Sequence, residues 1–324
     1  MPRPDDRHPP SEPGAERQLR IALSRAEHHR RRRRVALVAA LTLLVVLVAV
    51  VATSSGSSGS WDPVRLREGA IEELPKLRLE QQANAAAAQI ERQKHQRAKE
   101  DEAVAATLAK TPFVRQAGAQ HREVALTFDD GPGIYTERIL DALRRGHARG
   151  TFFVIGRQIS SFPIPLQRSV AEGNEIGDHT WDHRDVTKLT PKELSAEITD
   201  QATALQQDGI PRPRLFRPPY GVYNDATLAG ARKQRMLTVM WTIDSSDYIA
   251  TNPQALSRYV LGLAKPGAII LMHDGGGNRT VTSEALPLII HGLSKAGYRT
   301  VTVPRLLLDN PPDARQQPVA PAPA

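Results

Sequence analysis

The sequence predicts an α/β fold built on a parallel sheet, and three observations carry that expectation. Between about residues 121 and 308, short apolar runs alternate with stretches of helical spacing, seven of the first against six of the second. Such alternation reads as strand, crossover helix, strand, which pairs the strands in parallel. The side chains able to do chemistry fall at the carboxyl ends of the apolar runs, the end at which β/α folds assemble their sites. The pattern leaves open whether the sheet is doubly wound or closed as a barrel.

The 324 residues allow one or two domains, and several segments lie outside the sheet. Residues 1–34 carry ten arginines against five acidic residues, more than half of the net charge of +8, and cannot form a core. The apolar run Val35 to Ala52 follows, eighteen uncharged residues long. As a helix it would reach about 27 Å, close to the thickness of a bilayer interior. Arg30 to Arg34 before it and TSSGSSGS after it predict a transmembrane anchor with residues 1–34 as a cytoplasmic basic tail. Everything beyond is then extracellular. A signal peptide cleaved after Ala52, giving a secreted protein, is the alternative, but the run exceeds a usual signal core. Membrane topology also accounts for the arginines, so no nucleic-acid partner is expected. Residues 53–120 read as a Ser/Gly linker and helical stalk rich in Ala, Gln, Glu, Lys and Arg. Its apolar positions Leu77, Ile90, Val104 and Leu108 are too sparse for a coiled coil, so a solvated spacer is expected. Residues 309–324 form a proline-rich tail expected to be disordered.

Within 121–308 the expected strands are EVALTF, GTFFVIG, NEIGDH, PRLFRP, LTVMWTI, GAIILMH and YRTVTV. The expected helices are YTERILDALRRG, IPLQRSVAEG, PKELSAEITDQATALQQDG, DATLAGARKQR, PQALSRYVLGLA and SEALPLIIHGLSKAG. Asp129 and Asp130 follow the first strand, His179 and His183 the third, and Arg217 and Tyr220 the fourth. Asp244 and Asp247 follow the fifth, and His273 and Asp274 the sixth. Each motif has an ordinary role. FDDGP reads as a turn, with Gly131 and Pro132 bending the chain, and RPPYG as a rigid turn with a solvated arginine. DSSDY reads as a loop of Asx-turns, LMH as a satisfied core histidine, and Trp181 as packing. HTWDH sets two imidazoles four residues apart, which on a helix share one face and can reach one ion. Two adjacent carboxylates repel unless a cation compensates, and a divalent metal or an arginine would do so. With no cysteine in the chain, any metal must sit on His, Asp or Glu.

Taken in order, TFDDGP, HTWDH, RPPYG, DSSDY and LMH resemble the five motifs of the polysaccharide deacetylase family, the NodB-homology domain of carbohydrate esterase family four, across about residues 122–308. The resemblance implies a distorted (β/α)7 barrel and a metal-dependent hydrolase that removes acetyl groups, most often from N-acetylglucosamine in polysaccharides. It implies Asp130, His179 and His183 as metal ligands, zinc by default with cobalt or nickel as alternatives, and Asp129 as the base paired with Arg217. His273 is implied as the proton donor oriented by Asp247, and the backbone N–H of Tyr220 as an oxyanion donor. Leu271 and Tyr248 would wall the acetyl pocket; the family usually has tryptophan where Tyr248 stands. An extracellular domain on a membrane anchor points to peptidoglycan as substrate. Chitin oligomers, exopolysaccharide and O-acetylated xylan are alternatives within the family. A glycoside hydrolase would need two carboxylates but no histidine pair, and a non-catalytic glycan-binding relative would be expected to have lost a ligand or the base.

Overall fold

A computed structural model describes residues 63–313 and 316. The basic tail, the apolar run Val35 to Ala52 and the Ser/Gly linker lie outside the described residues. Among the described residues no helix is long and apolar enough to cross a membrane. Internal contacts divide the chain into two units, Met1–Gln89 and Ile90–Ala324. The described part of the first unit is helical from Pro63, within helix α1 (Pro63–Lys110), and its side chains from Leu79 to Gln89 are exposed, as a solvated spacer requires.

The second unit begins with the last turns of α1, one face of which is covered. Val104 is buried and Leu108 lies one turn on, so an i, i+4 apolar pair packs against the sheet. Asp101 pairs with Arg214, and Arg97 lies 3.7 Å from Glu175. The folded unit therefore starts well before residue 121, and strand β1 (Phe113–Val114) was not foreseen. The remaining strands are β2 (Glu123–Gly131), β3 (Gly150–Val154), β4 (Glu175–Asp178), β5 (Leu215–Phe216), β6 (Leu237–Val239), β7 (Ile243–Asp244), β8 (Ile269–His273) and β9 (Arg299–Thr300). The six expected crossover helices are all present: α2 (Thr136–Arg145), α3 (Pro163–Ala171), α4 (Pro191–Gln207), α5 (Asp225–Lys233), α6 (Pro253–Leu263) and α7 (Thr280–Lys295).

Two expected strands differ. LTVMWTI is split into β6 and β7, and only Arg299–Thr300 of YRTVTV pairs, because Thr302 caps a further helix, α8 (Val303–Asp309), with Pro304 in its first turn. The proline-rich tail is tied down at its start: Asn310 is buried, its amide donating to Glu123 and its side-chain oxygen accepting from the backbone N–H of His121.

The strands run β1-β6-β5-β4-β3-β2-β8-β7, with β9 beside β2, and all these pairings are parallel. This order forces curvature. Six inter-strand steps would separate β6 from β7 by about 29 Å in a flat sheet, whereas the chain from Val239 to Ile243 reaches at most about 14 Å. The sheet must curl, as a NodB-type barrel does. The seam is stitched by β1 and the residues after it: Met240 donates to Val114 O at 2.7 Å and Thr242 Oγ1 to Arg115 O at 2.6 Å, while Gln116 bridges Ala268.

Both faces of the sheet are covered, so β2 reads as a continuous apolar run rather than an alternating one. Val124, Leu126 and Phe128 face α2 and α7, packing with Ile139, Leu143, Leu286 and Ile289. Ala125 belongs to the second cluster with Phe153, Leu237 and Ile269 inside the curl. A strand period of two carries Thr127 and Asp129 onto that same inner face.

Candidate active site

Regular alternation would turn Asp130 outward with Phe128. It does not, because the pairing of β2 with β3 slips between Asp129 and Gly131, and Asp130 itself adopts φ 71°. This bulge re-aims one side chain and keeps both carboxylates at the sheet's carboxyl edge. The bend expected of Gly131 and Pro132 therefore lies one residue earlier. A loop after β8 closes over it: a side chain at Gly275 or Gly276 would collide with the backbone or carboxylate of Asp130.

The two histidines are not on a helix. His179 leaves the end of β4, its N–H bonded to Val154 O at 3.1 Å, and a tight loop with Thr180 at φ 69° and His183 at φ 59° turns the second ring toward the first. The ring centroids are 4.9 Å apart. Trp181 packs over Gly156, as expected of a packing residue. His179 Nδ1 lies 2.7 Å from Arg217 O, and because a carbonyl only accepts, that nitrogen carries the proton and Nε2 is left with its lone pair. Nε2 of His179 and of His183 lie 3.5 and 3.2 Å from Asp130 Oδ1. That oxygen is buried and receives no hydrogen bond.

Asp130, His179 and His183 thus offer three ligand atoms within 4.8 Å of one another. A divalent cation fits this set, since two imidazoles and one carboxylate suit zinc and leave coordination positions for water or substrate. Burial opposes the charge of Asp130, yet the neighbouring His179 and His183 outweigh it and hold the carboxyl well below the usual carboxylate range.

Asp129 is held differently. Arg217, fully buried, donates from Nη1 to Asp129 Oδ1 and to Thr127 Oγ1, both at 2.8 Å. Its Nε donates to Val239 O at 3.0 Å and Nη2 to Met240 O at 3.3 Å, and its guanidinium lies over the Phe153 ring at 4.1 Å. Burial lowers the Arg217 pKa, with Asp129 opposing. The other Asp129 oxygen lies 3.8 Å from His179 Nε2 and so faces the site.

His273 is the register partner of Asp129 on the neighbouring strand β8. Asp247 Oδ1 accepts from its Nδ1 at 2.7 Å, and Asp247 Oδ2 accepts from its backbone N–H at 2.9 Å and from Thr282 Oγ1 at 2.7 Å. Burial works against the charge of both partners. Their mutual hydrogen bond and attraction prevail, so His273 is raised above 6.5 and Asp247 lowered below 3.8. Tyr220, at φ 59° on the turn after β5, sets its ring edge-on to His183 at 4.6 Å. Tyr248 does the same to His273 at 5.7 Å, and Leu271 is buried on the His273 face of β8.

Residues 116–239 match the family model described as polysaccharide deacetylase. The chain is 38% identical over 187 residues to a peptidoglycan-N-acetylglucosamine deacetylase of Bacillus cereus, covering 57% of this chain and 87% of that protein. The chain belongs to the polysaccharide deacetylase family. It is also 34% identical over 199 residues to a chitooligosaccharide deacetylase of Bradyrhizobium, covering 57% of this chain and 90% of that one. Among solved structures, a peptidoglycan N-acetylglucosamine deacetylase in complex with an N-oxidanyl-benzamide superposes with a TM-score of 0.59 at 33% identity, covering 61% of this chain and 94% of that one. This polysaccharide deacetylase is therefore a hydrolase of carbon–nitrogen bonds. The family-model match includes Asp129, Asp130, His179, His183, Arg217 and Tyr220 but stops short of Asp247 and His273, which the fold itself brings to the same edge.

Several residues of this deacetylase site were not read from the sequence. Thr127 was legible in principle, as the inward neighbour of Asp129 two residues back. Thr282 lies in α7 and Glu197 in α4, polar residues on buried, mainly apolar stripes, which spacing alone does not connect to a motif. Asp274, placed from the sequence at the end of the sixth strand but given no role, is buried beside Asp130 and accepts from Thr136 Oγ1 at 2.5 Å. Burial first, then the charges of Asp130 and Asp129, push its carboxyl up to about 7 against the Thr136 hydrogen bond.

Proposed function

We propose that this chain removes N-acetyl groups from N-acetylglucosamine residues of peptidoglycan, using a zinc ion held by Asp130, His179 and His183. The observation that carries the reading is the convergence, on one sheet edge, of an unsatisfied three-ligand set, an arginine-held carboxylate and a carboxylate-held histidine. A bound divalent cation supplies Lewis acidity at the amide carbonyl.

The chain's own groups do the rest. Asp129, fixed by Arg217 yet tied to no other donor on its second oxygen, takes a proton from the attacking water. Water oxygen bonds to the acetyl carbon, and the Tyr220 N–H faces the oxygen that gains charge. His273 gives a proton to the sugar nitrogen as the C–N bond breaks, releasing acetate and a free amine. Asp247 keeps His273 oriented and protonated for that step. Leu271 and Tyr248 enclose the acetyl methyl.

A polymer is favoured over a small molecule because the site opens sideways. An open groove of about 640 Å³ lined by His183, Arg184, Asp185, Lys188, Leu189, Tyr220 and Val222 adjoins the ligand set at His183. Peptidoglycan is favoured because the relatives quoted include enzymes named for it, and because the apolar run Val35 to Ala52 would tether the domain outside the membrane, against the wall. Acetate release by residues 90–324 from peptidoglycan, chitooligosaccharides and acetylated xylan, with and without chelator, tests this. The expected result is zinc-dependent release, greatest from peptidoglycan. Release from another glycan but none from peptidoglycan sinks the substrate assignment.

A further inference from the structure

The loop that carries both imidazoles is held by a residue with no part in any of the five motifs. Counting its donors shows how. From His179 to His183 every backbone N–H has an acceptor: Val154 O for His179, Asp178 Oδ1 for Thr180 at 2.8 Å, and Thr180 Oγ1 for His183 at 2.9 Å. The two in the middle, Trp181 and Asp182, both donate to one oxygen, Glu197 Oε2, at 2.9 Å each. Glu197 projects from α4, whose start is fixed by a capping box between Thr190 and Glu193 and whose inner face packs through Leu194, Ile198 and Ala202. On that apolar stripe Glu197 is itself buried. Arg184 approaches its other oxygen only to 3.7 Å.

A buried carboxylate on a helix face is costly unless its acceptors are used, and Glu197 spends its charge on two consecutive peptide N–H groups. Those peptides lie between two non-glycine residues in the left-handed region, Thr180 and His183, a conformation that persists only where surroundings over-determine it. We infer that Glu197 is a positioning residue for the metal ligands, clamping the Trp181–Asp182 backbone so that His183 Nε2 meets Asp130 beside His179. The inference rests on the metal reading above. It concerns reach, not charge, since the carboxylate touches peptide groups and neither imidazole.

Two conservative variants separate reach from charge. Glu197→Gln keeps an acceptor oxygen at full length without the charge, whereas Glu197→Asp keeps the charge and withdraws the oxygens by one methylene. Zinc affinity is measured by competition with a chromophoric chelator, and ligand geometry by the visible absorption of the cobalt-substituted protein. Glu197→Asp is expected to weaken zinc binding about tenfold or more, the cost usual for outer partners of metal ligands, and to change the cobalt spectrum. Glu197→Gln is expected to stay within about threefold of the parent. Ile198→Val, on the same helix but facing the apolar cluster, should lower the thermal midpoint without changing zinc affinity. Parent-like affinity in Glu197→Asp overturns the inference, as does an equal loss in Ile198→Val or a loss in Glu197→Gln that exceeds that of Glu197→Asp. A parent chain that binds no zinc overturns the metal reading and this inference with it, whereas a parent that binds tightly beside an unaffected Glu197→Asp overturns the inference alone.

Discussion

The corner formed by Asp130, His179 and His183 and the corner formed by Asp247 and His273 use the same two residue types, and their donors separate them. At Asp247 each oxygen has a partner: Nδ1 of His273 on one, a backbone N–H and the Thr282 hydroxyl on the other. At Asp130 the facing atoms are two imidazole nitrogens and a carboxylate oxygen that receives no hydrogen bond. The Asp247 corner is complete within the chain, whereas the Asp130 corner leaves an orphaned buried oxygen that the proposed cation would satisfy. Histidine beside aspartate therefore does not by itself define a metal site. In both corners Nδ1 is held, and what differs is the holder, a backbone carbonyl at His179 and the paired carboxylate itself at His273. Arg217 O accepts from Nδ1 of His179 and turns Nε2 to the carboxylate, whereas Asp247 accepts from Nδ1 of His273 and leaves Nε2 to the substrate in the proposed mechanism.

Breaking the incomplete corner should have the largest effect. Chelation of the parent, or His183→Ala, is expected to lower acetate release by about 10³-fold or more, the scale of a lost Lewis acid together with lost substrate orientation. Zinc should restore the parent and not the variant. Because the cation binds the folded chain, zinc at 1,000 times its dissociation constant should stabilise the parent by about 4 kcal/mol, read as a raised thermal midpoint. Undiminished activity in metal-free protein would mean that the lone pairs at Asp130 are satisfied in some other way.

The complete corner should break more gently and in a pH-dependent manner. His273 is raised above its ordinary 6.5, so the stability it contributes is full below pH 6.5 and is lost as pH rises through the higher folded value. Asp247 is lowered below 3.8, so its contribution is full above that pH and is lost as pH falls through the lower folded value. A proton donor with this shift keeps kcat up on the alkaline side, placing the falling limb of the profile above pH 6.5. Asp247→Asn removes the attraction and leaves burial, which favours neutral imidazole. The limb should then move to lower pH and kcat at pH 8 should fall by about 10²-fold, while zinc affinity stays at the parent's value. A limb that does not move would remove His273 from the role of donor.

The contrast also explains how much could be read in advance. Every residue of both corners is in the five motifs, because each lies within a few residues of a strand end, where local sequence and position in the fold coincide. What the motifs do not carry is the backbone that aims them. HTWDH reads as a helical face because four-residue spacing fits one, yet two left-handed residues and the Glu197 carboxylate make it a loop. The two aspartates of FDDGP read as a turn, yet a register slip at Asp130 brings them to one edge. Thr282 and Glu197 could not be read, since their partners lie 35 and 15 or more residues away and only the fold joins them. Strand β1 was overlooked for a similar reason: two residues after a long helix have no periodicity, and β6 alone makes them a strand.

The smallest effect should come from the residue that departs from the family pattern. Tyr248 is half exposed and meets His273 edge-on, at a ring angle of 85°. It touches neither the ligand set nor the Asp247 oxygens, so Tyr248→Trp should leave zinc affinity and the pH limb unchanged. What it changes is volume at the wall of the acetyl pocket. One methylene in an apolar pocket is worth about 1–3 kcal/mol, and an indole fills space that a phenol leaves. The parent should therefore tolerate an N-propionyl group better than the variant does. In Tyr248→Trp the preference for acetyl over propionyl, as a ratio of kcat/KM, should rise by about 3- to 10-fold, within the range one methylene allows. An unchanged ratio would place Tyr248 outside the acyl pocket. A shifted pH limb would instead mean that its ring, edge-on to His273, helps to set the protonation of the donor.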